Sequence, residues 1–357
     1  MKGRDTKRAK WALVWTAAVF VLSQLALNAY LEIRHPDLFD GEYMVRLDRL
    51  RRVLAEAPER PLLLLIGSSR TVMSFRPEIL PPLYDKSGPV HVFNFSHIGA
   101  GPMMNLVELR RLLADGVQPR WLVLELMPPQ MGDRRQSIAI NNALTRDLPT
   151  LHGHYPALQL YGYFARNRAL PAWKFRRYIL KQISPALAPD AFVPREHVHI
   201  GPLGGDWSVH LFPDIDESRR RQEIDKAGIG YYPDVQSLEM LEPSCGANRD
   251  ILRLCQEHGI KVVVLLTPEG PAFRSWYSAP AERRLAEYCA GLEREFGVPI
   301  VSARDWLEER DFVDSHHVIL PGAEKFTRRL GAEVLEPLVQ ERPLSPESRR
   351  LGRASNQ

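Results

Sequence analysis

Two short stretches at opposite ends of the chain hold the residue types that could do chemistry together. The apolar run PLLLLIG leads into Gly67-Ser68-Ser69-Arg70. A serine on a tight turn leaving a buried strand is presented where a base can reach it. Taken alone, Gly-Ser-Ser is a weak signal, because both residue types fill turns everywhere. Far downstream stands Asp311-Phe312-Val313-Asp314-Ser315-His316-His317, followed by Val318-Ile319-Leu320-Pro321-Gly322-Ala323. Asp314 and His317 are three apart, a spacing that lets a carboxylate hold an imidazole in one tautomer. Such an imidazole can take the proton of a serine, which is a poor nucleophile without a base. His316 is the competing base, but only His317 keeps the three-residue spacing from Asp314. Asp311 reads as a strand-end or capping residue.

The elements that must position these residues follow from apolar periodicity. Five short apolar runs, at 61–67, 90–95, 121–126, 260–267 and 298–302, look like strands covered on both faces. Helical patterns lie between several of them, at 102–114, 248–258 and 280–296, and another follows the His-His pair at 324–338. Alternation of this kind predicts an α/β fold, a three-layer αβα sandwich around a parallel sheet of about five strands. Chemistry in such sheets gathers at the carboxyl ends of the strands, where Ser69 falls. Residues 128–244 are too many for a simple crossover. Rich in Pro, Tyr, Trp and Arg, with a helical pattern at 171–182 and a glycine-rich turn at 201–205, they read as an insertion, either a lid or a packing excursion without function. Trp173, Phe175 and Tyr178 within it could stack on sugar rings, although aromatics at helical spacing are usually core. The segment 61–127 with 245–340 is then the main domain, and 341–357 a polar, disordered tail.

The amino terminus has its own logic. Residues 1–10 carry five basic side chains and one acidic one, and 11–31 are apolar apart from Thr16, Ser23, Gln24 and Asn28. About 20 apolar residues cross a bilayer, so 11–31 is long enough. Trp11, Trp15 and Tyr30 stand near its ends, where amphipathic rings favour the interface. The basic flank should remain cytoplasmic, with everything after Leu31, starting with a connector and helix at 32–60, on the far side. A cleaved signal peptide is the alternative, for which Leu27-Asn28-Ala29 is a poor cleavage site. The expected location is a bacterial-type inner membrane, single-pass, with an extracytoplasmic or periplasmic main domain.

Composition narrows the functions. The 357 residues carry 47 basic against 43 acidic side chains, a balance that gives no reason to invoke nucleic acid. Cys245, Cys255 and Cys289 form no CxxC pair, and an odd count argues against a disulfide framework. There is no P-loop, dinucleotide fingerprint or metal constellation, so neither cofactor nor metal is expected.

DSHHVILPGAEKFT resembles the last conserved block of the SGNH (GDSL-like) hydrolases, an Asp-x-x-His followed by an apolar residue and Gly-Ala. Gly67-Ser68-Ser69-Arg70 resembles the first block, with Ser in place of Asp, and Asn94-Phe95-Ser96-His97-Ile98-Gly99 the second. The resemblance implies a flavodoxin-like sheet, a triad of Ser69, His317 and Asp314, and an oxyanion hole from the backbone amides of Ser69 and Gly99. Asn94, Arg70 and His97 become possible substrate or pocket residues, against structural pairing with a protein carboxylate for Arg70, the favoured reading, and an ordinary loop role for His97. The third block, usually Gly-x-Asn-Asp, has no counterpart, since Glu125-Leu126-Met127-Pro128 stands there. Membrane-anchored relatives that modify envelope polymers, such as D-alanine transfer proteins and polysaccharide O-acetyltransferases, share that lack. By resemblance the expected function is an esterase or O-acyltransferase acting on acyl esters of envelope glycan, with a multi-span membrane acyltransferase as a possible partner. A catalytically weak glycan-binding or scaffold module is the alternative.

Overall fold

The computed structural model describes residues 2–132, 137–188, 200–205 and 214–345. Parts of the expected insertion and the tail from 346 onward therefore lie outside the described residues. The chain divides into two compact units, one of residues 1–44 and 140–198, the other of residues 45–139 and 199–357.

The larger unit is built on a parallel five-stranded sheet: β1 Leu62–Ile66, β2 His91–Asn94, β3 Trp121–Glu125, β4 Lys261–Leu266 and β5 Ile300–Ser302. All five fall within the apolar runs read from the sequence. The spatial order is β2-β1-β3-β4-β5, the flavodoxin-like order, with β1 paired to β2 through Leu62–His91 and to β3 through Leu63–Trp121. The strand order therefore reverses between β1 and β3, and the crevice at their carboxyl ends is where such folds bind ligands.

The principal α-helices are α1 Lys2–Arg34, α2 Gly41–Glu56, α3 Ser69–Ser74, α4 Pro102–Ala114, α5 Ala157–Arg168, α6 Arg176–Ile183, α7 Glu217–Ser237, α8 Glu242–Glu257, α9 Ala279–Phe296 and α10 Leu320–Leu330. Their ends obey local rules. Proline opens α4 and α9 within the first turn, where its missing N–H costs nothing. The Ser278 hydroxyl accepts from the Ala281 amide at the start of α9, and Gly297, at φ +66°, ends it. On one sheet face Leu63, Leu65, Trp121, Val123, Val263, Leu265 and Val301 pack with Ala323, Phe326 and Leu330 of α10. Fully burying a side chain such as Phe326 stabilises the fold by roughly 1.5–3 kcal/mol. Helices α4 and α8 pack on each other, and α8 also packs on β4.

Four findings refine the sequence reading. The pattern expected as one helix over 171–182 is two, Pro171–Lys174 and α6. The pattern over 324–338 begins earlier as α10 and passes through a π-helical turn, Gly331–Leu335, before a last turn at Glu336–Val339. Helix α7 had no clear signal, because its 21 residues include Pro233 and bury only Arg220, Ala227 and Val235. Of the tail expected from Glu341 onward, the first residues pack on the fold: Glu341 is ion-paired with Lys261 and Arg120, and Leu344 packs against the core.

In the smaller unit, α1 is long and apolar enough to cross a membrane. Leu31 and Phe39 pack there with Leu144 and Phe175. The Phe39 and Phe175 rings meet edge to face at 5.1 Å.

Candidate active site

The turn after β1 is shaped by a carboxylate from the neighbouring strand. Glu125, the last residue of β3, is buried, and its carboxylate accepts hydrogen bonds from the Ser68 amide, the Ser68 hydroxyl (3.0 Å), the Thr71 hydroxyl (2.8 Å) and the Thr267 hydroxyl (3.1 Å). Gly67 is required by this approach: a Cβ there would lie 2.3 Å from Glu125 Oε2 and 2.7 Å from Thr71 Oγ1. Ser68 caps α3, its hydroxyl accepting from the Arg70 amide at 3.2 Å. Ser69 is thus the first residue of α3, with its backbone N–H among those a helix start leaves without an intrahelical partner. Asn94 holds the other end of α3, donating its amide to the carbonyls of Thr71 (2.9 Å) and Phe75 (3.1 Å).

The second half of the site is a loop between β5 and α10. Phe312 and Val318 form an antiparallel bridge, closed by Val313 N–H to His317 O (2.8 Å) and Ile319 N–H to Asp311 O (2.9 Å). Ser315 at its tip has φ +66°, a left-handed conformation that costs a non-glycine residue about 1–2 kcal/mol. Its hydroxyl accepts from the Phe273 amide (2.9 Å) and donates to Glu309 (3.1 Å), which holds the turn. From α7, Arg220 donates to the Phe312 carbonyl at 3.0 Å, and Tyr231 packs its ring on His316 at 4.6 Å. The glycine of the Leu-Pro-Gly-Ala segment has a steric role, since a Cβ on Gly322 would lie 2.4 Å from the Asp311 carbonyl oxygen.

These two segments meet. Ser69 Oγ is 2.9 Å from His317 Nε2, and His317 Nδ1 is 2.8 Å from Asp314 Oδ2. Asp314 Oδ1 also accepts from the backbone amides of His317 (2.7 Å) and His316 (3.1 Å). Burial alone would raise the Asp314 carboxyl, but the neighbouring His317 and His316 and these hydrogen bonds hold it well below the usual carboxylate range. An ionised Asp314 fixes the proton on Nδ1 of His317, which leaves Nε2 to accept from the serine hydroxyl. His316 is buried against Phe273 and Tyr231, and burial followed by repulsion from His317 pushes its pKa well below that of a free imidazole. A neutral, enclosed His316 is a packing partner for the His317 ring, 4.0 Å away, rather than a second base.

Gly99 sits in the loop after β2 at φ +76°, and a Cβ there would collide with Ile138 at 2.6 Å. That loop is tied to the Gly67–Arg70 turn by the His97 amide, which donates to the Gly67 carbonyl at 3.0 Å. The structure places the three possible pocket residues in the interior, each buried and engaged with partners inside the fold. Asn94 is engaged in holding α3. His97 Nδ1 lies 2.7 Å from Glu108 of α4. Arg70 is ion-paired with Glu269 at 2.8 Å, while Arg304 (2.6 Å) and Tyr277 (2.8 Å) share the same carboxylate. Burial would lower the Arg70 pKa, yet Glu269 beside it keeps it raised. Of the insertion aromatics, Phe175 is buried, Tyr178 bonds His35 at 3.0 Å, and Trp173 is exposed.

Sequence reasoning missed Glu125, Glu269, Arg220, Tyr231 and Ser315. Glu125 and Glu269 carried a usable signal: Glu125 closes the apolar run of β3 and Glu269 stands three residues past the end of β4, where a buried carboxylate must find partners. The three cysteines are free and buried, and burial pushes the Cys255 and Cys289 thiols up to about 12, which makes them poor nucleophiles. Asp314, His316 and His317 also present ligand atoms within 4.8 Å of one another. The hydrogen bonds that already join Asp314 to His317 favour a proton-transfer pair over a cation site.

A family model described as a protein of unknown function, DUF1574, matches residues 20–153, less than half of the chain. A second family model, with no description attached, matches residues 246–339. The first stretch holds Ser69 and Gly99, the second Asp314 and His317. No curated protein matches the chain. Among solved structures, a candidate acylhydrolase from Bacteroides fragilis is similar at 13% identity and a TM-score of 0.32, over 82% of this chain and 94% of that one. At that score the likeness adds nothing to the topology read from the strand pairing.

Proposed function

We propose that this protein is a membrane-anchored serine esterase or O-acyltransferase that works outside the cytoplasm through Ser69, His317 and Asp314. The observation that carries the reading is the continuous hydrogen-bonded relay from Ser69 Oγ to His317 Nε2 and from His317 Nδ1 to Asp314. Ser69 Oγ attacks an acyl carbonyl while His317 Nε2 accepts its proton, and Asp314 stabilises the imidazolium. The tetrahedral intermediate expels the alcohol, which takes the proton back from His317, leaving an acyl-serine. Water or a sugar hydroxyl, deprotonated by His317, then releases the acyl group. The amides of Ser69 and Gly99 are assigned to the oxyanion; the Ser69 amide lies at a helix start, where the dipole favours negative charge. Acyl esters of envelope glycan are the proposed substrates, because the chain pairs this site with an apolar amino-terminal helix read as a single span with a cytoplasmic basic flank.

The test uses the full chain in detergent or nanodiscs. A fluorophosphonate should label Ser69, nitrophenyl acetate should be cleaved, and Ser69→Ala should lose both, with kcat down about 10⁴–10⁶-fold. A correctly folded protein that is neither labelled nor active would favour the second reading, a glycan-binding or scaffold module. That reading is motivated by Glu125: the third strand delivers a carboxylate to the nucleophile turn where the SGNH pattern has an oxyanion-donating amide.

A further inference from the structure

We infer that residues 157–183 lie in the outer interfacial layer of the bilayer that α1 crosses, with exposed aromatic and aliphatic side chains in lipid and basic ones on anionic headgroups. The inference rests on reading α1 as a membrane span, and every observation behind it lies within the smaller unit.

The segment combines two properties that conflict in water. Leu158, Tyr161, Leu170, Trp173 and Ile183 are all exposed, Leu158 to 90% and Ile183 to 73%. With Tyr163 and Leu180, these 27 residues expose seven large apolar side chains, whereas the whole larger unit exposes four among its described residues: Tyr84, Ile98, Ile229 and Tyr232. An apolar surface of this density marks a contact with a partner or a membrane. The same segment holds six basic residues, Arg166, Arg168, Lys174, Arg176, Arg177 and Lys181, and no Asp or Glu. A basic, aromatic and amphipathic helical stretch is the composition of a segment that lies in a membrane surface, where long basic side chains reach the headgroups.

Its position against α1 supplies the depth. The Ala172 amide faces Gln24 Oε1 at 3.4 Å, and Gln24 lies seven residues before Leu31, the last apolar residue of the expected span. At 1.5 Å per residue that contact is about 10 Å below the end of the apolar stretch. Interfacial helices bury their apolar faces about 5–10 Å into the same boundary. A span at Trp11–Leu31 thus carries the segment into the lipid with it. Between α1 and α5 lies an open cleft of about 420 Å³, walled largely by Phe20, Val21, Leu25, Phe164 and Ala169, with Arg168 also on its wall. An apolar cleft at that depth suits an acyl chain better than water. The guanidinium of Arg176 lies over the Trp173 ring at 4.0 Å, the pairing of basic head and flat ring found at headgroup level. Two copies packed through this face would bring the basic residues of both segments into one interface, Arg168 excepted because it is buried and ion-paired with Glu32, and the segment supplies no acid to offset them, so like-charge repulsion disfavours a second copy as the occupant.

The test places single cysteines in the full chain at Leu158, Trp173 and Ile183, with Leu22→Cys as the reporter of the span and Ile229→Cys, on the larger unit, as the aqueous control. Each is labelled with an environment-sensitive fluorophore and reconstituted in phosphatidylcholine–phosphatidylglycerol vesicles. Quenching by shallow doxyl-lipids should be several-fold stronger at positions 158, 173 and 183 than at 229, with iodide showing the reverse. Replacing phosphatidylglycerol by phosphatidylcholine should weaken lipid quenching at 183. If Leu22→Cys is lipid-quenched while 158, 173 and 183 respond to iodide like 229, the interfacial inference is overturned and the span survives. If those three respond to neither quencher, protein covers them and the inference is equally overturned. Lipid quenching that ignores phosphatidylglycerol removes the headgroup half of the inference. A Leu22 probe open to iodide overturns the span reading, and the inference falls with it.

Discussion

The serine turn and the histidine loop are held in different ways. In the loop from Asp311 to Ile319 the Asp314–His317 pair and the bridge that closes it join residues within nine positions of one another, while Arg220, Gly270 and Phe273 brace the loop from outside. The turn at Gly67–Arg70 has little of its own beyond the Ser68 cap. Two carboxylates from elsewhere in the sheet layer hold it, Glu125 at the end of β3 through neutral donors and Glu269 in the loop after β4 through the Arg70 and Arg304 guanidiniums. A carboxylate–imidazole pair can therefore be built within one loop, whereas bringing a serine hydroxyl to it needs the whole sheet.

The sharpest way to separate the two halves is Asp314→Asn, which damages the local pair and leaves the turn intact. Activity on nitrophenyl acetate should fall by about 10⁴-fold, since the amide no longer enforces the reactive tautomer, while the thermal midpoint changes little. A loss under tenfold would remove Asp314 from the relay. Glu269→Ala attacks the other half, leaving Arg70 buried and unpaired. It should cost about 3–5 kcal/mol in denaturant titration. A cost near zero would mean that the turn does not depend on this network.

Gly67→Ala pushes a methyl group into Glu125, with an expected loss of about 1–3 kcal/mol and weakened fluorophosphonate labelling. In the loop, Ser315→Ala and Ser315→Gly both remove the Phe273 and Glu309 hydrogen bonds, but only glycine relieves the positive φ. The glycine variant should be the more stable by about 1 kcal/mol, and the reverse order would argue against strain at the tip.

Acid should act first on the loop. The folded pKa of His316 lies below its unfolded value, so between the two the unfolded chain binds the extra proton. Stability from this residue is complete above the unfolded value of about 6.5 and is lost as pH falls through the folded one. Asp314 has the same sign and adds its loss only below about pH 4. His316→Phe should flatten the stability curve just below pH 6.5, and an unchanged slope there would show that His316 is not the group responsible.

The five strands, the helices after β2 and β4, and the Asp-x-x-His spacing were legible because each is written in a contiguous pattern. Apolar runs, proline and glycine boundaries and a three-residue interval act over one or two turns of chain. Helix α7 escaped because Pro233 contradicts its type and only three of its residues are buried, which leaves little apolar period to detect. What the sequence by itself determined is the parallel α/β class, the apolar amino-terminal helix and the local Asp314–His317 pair. Only the tertiary structure decided that Ser69, 248 positions from His317, lies 2.9 Å from it, and that Glu125, Asn94, Arg70 and His97 face inward to hold the frame. The physical reason is that a buried polar group must find its partners wherever the fold brings them, and those partners come from other strands and helices, at distances along the chain that no local pattern encodes.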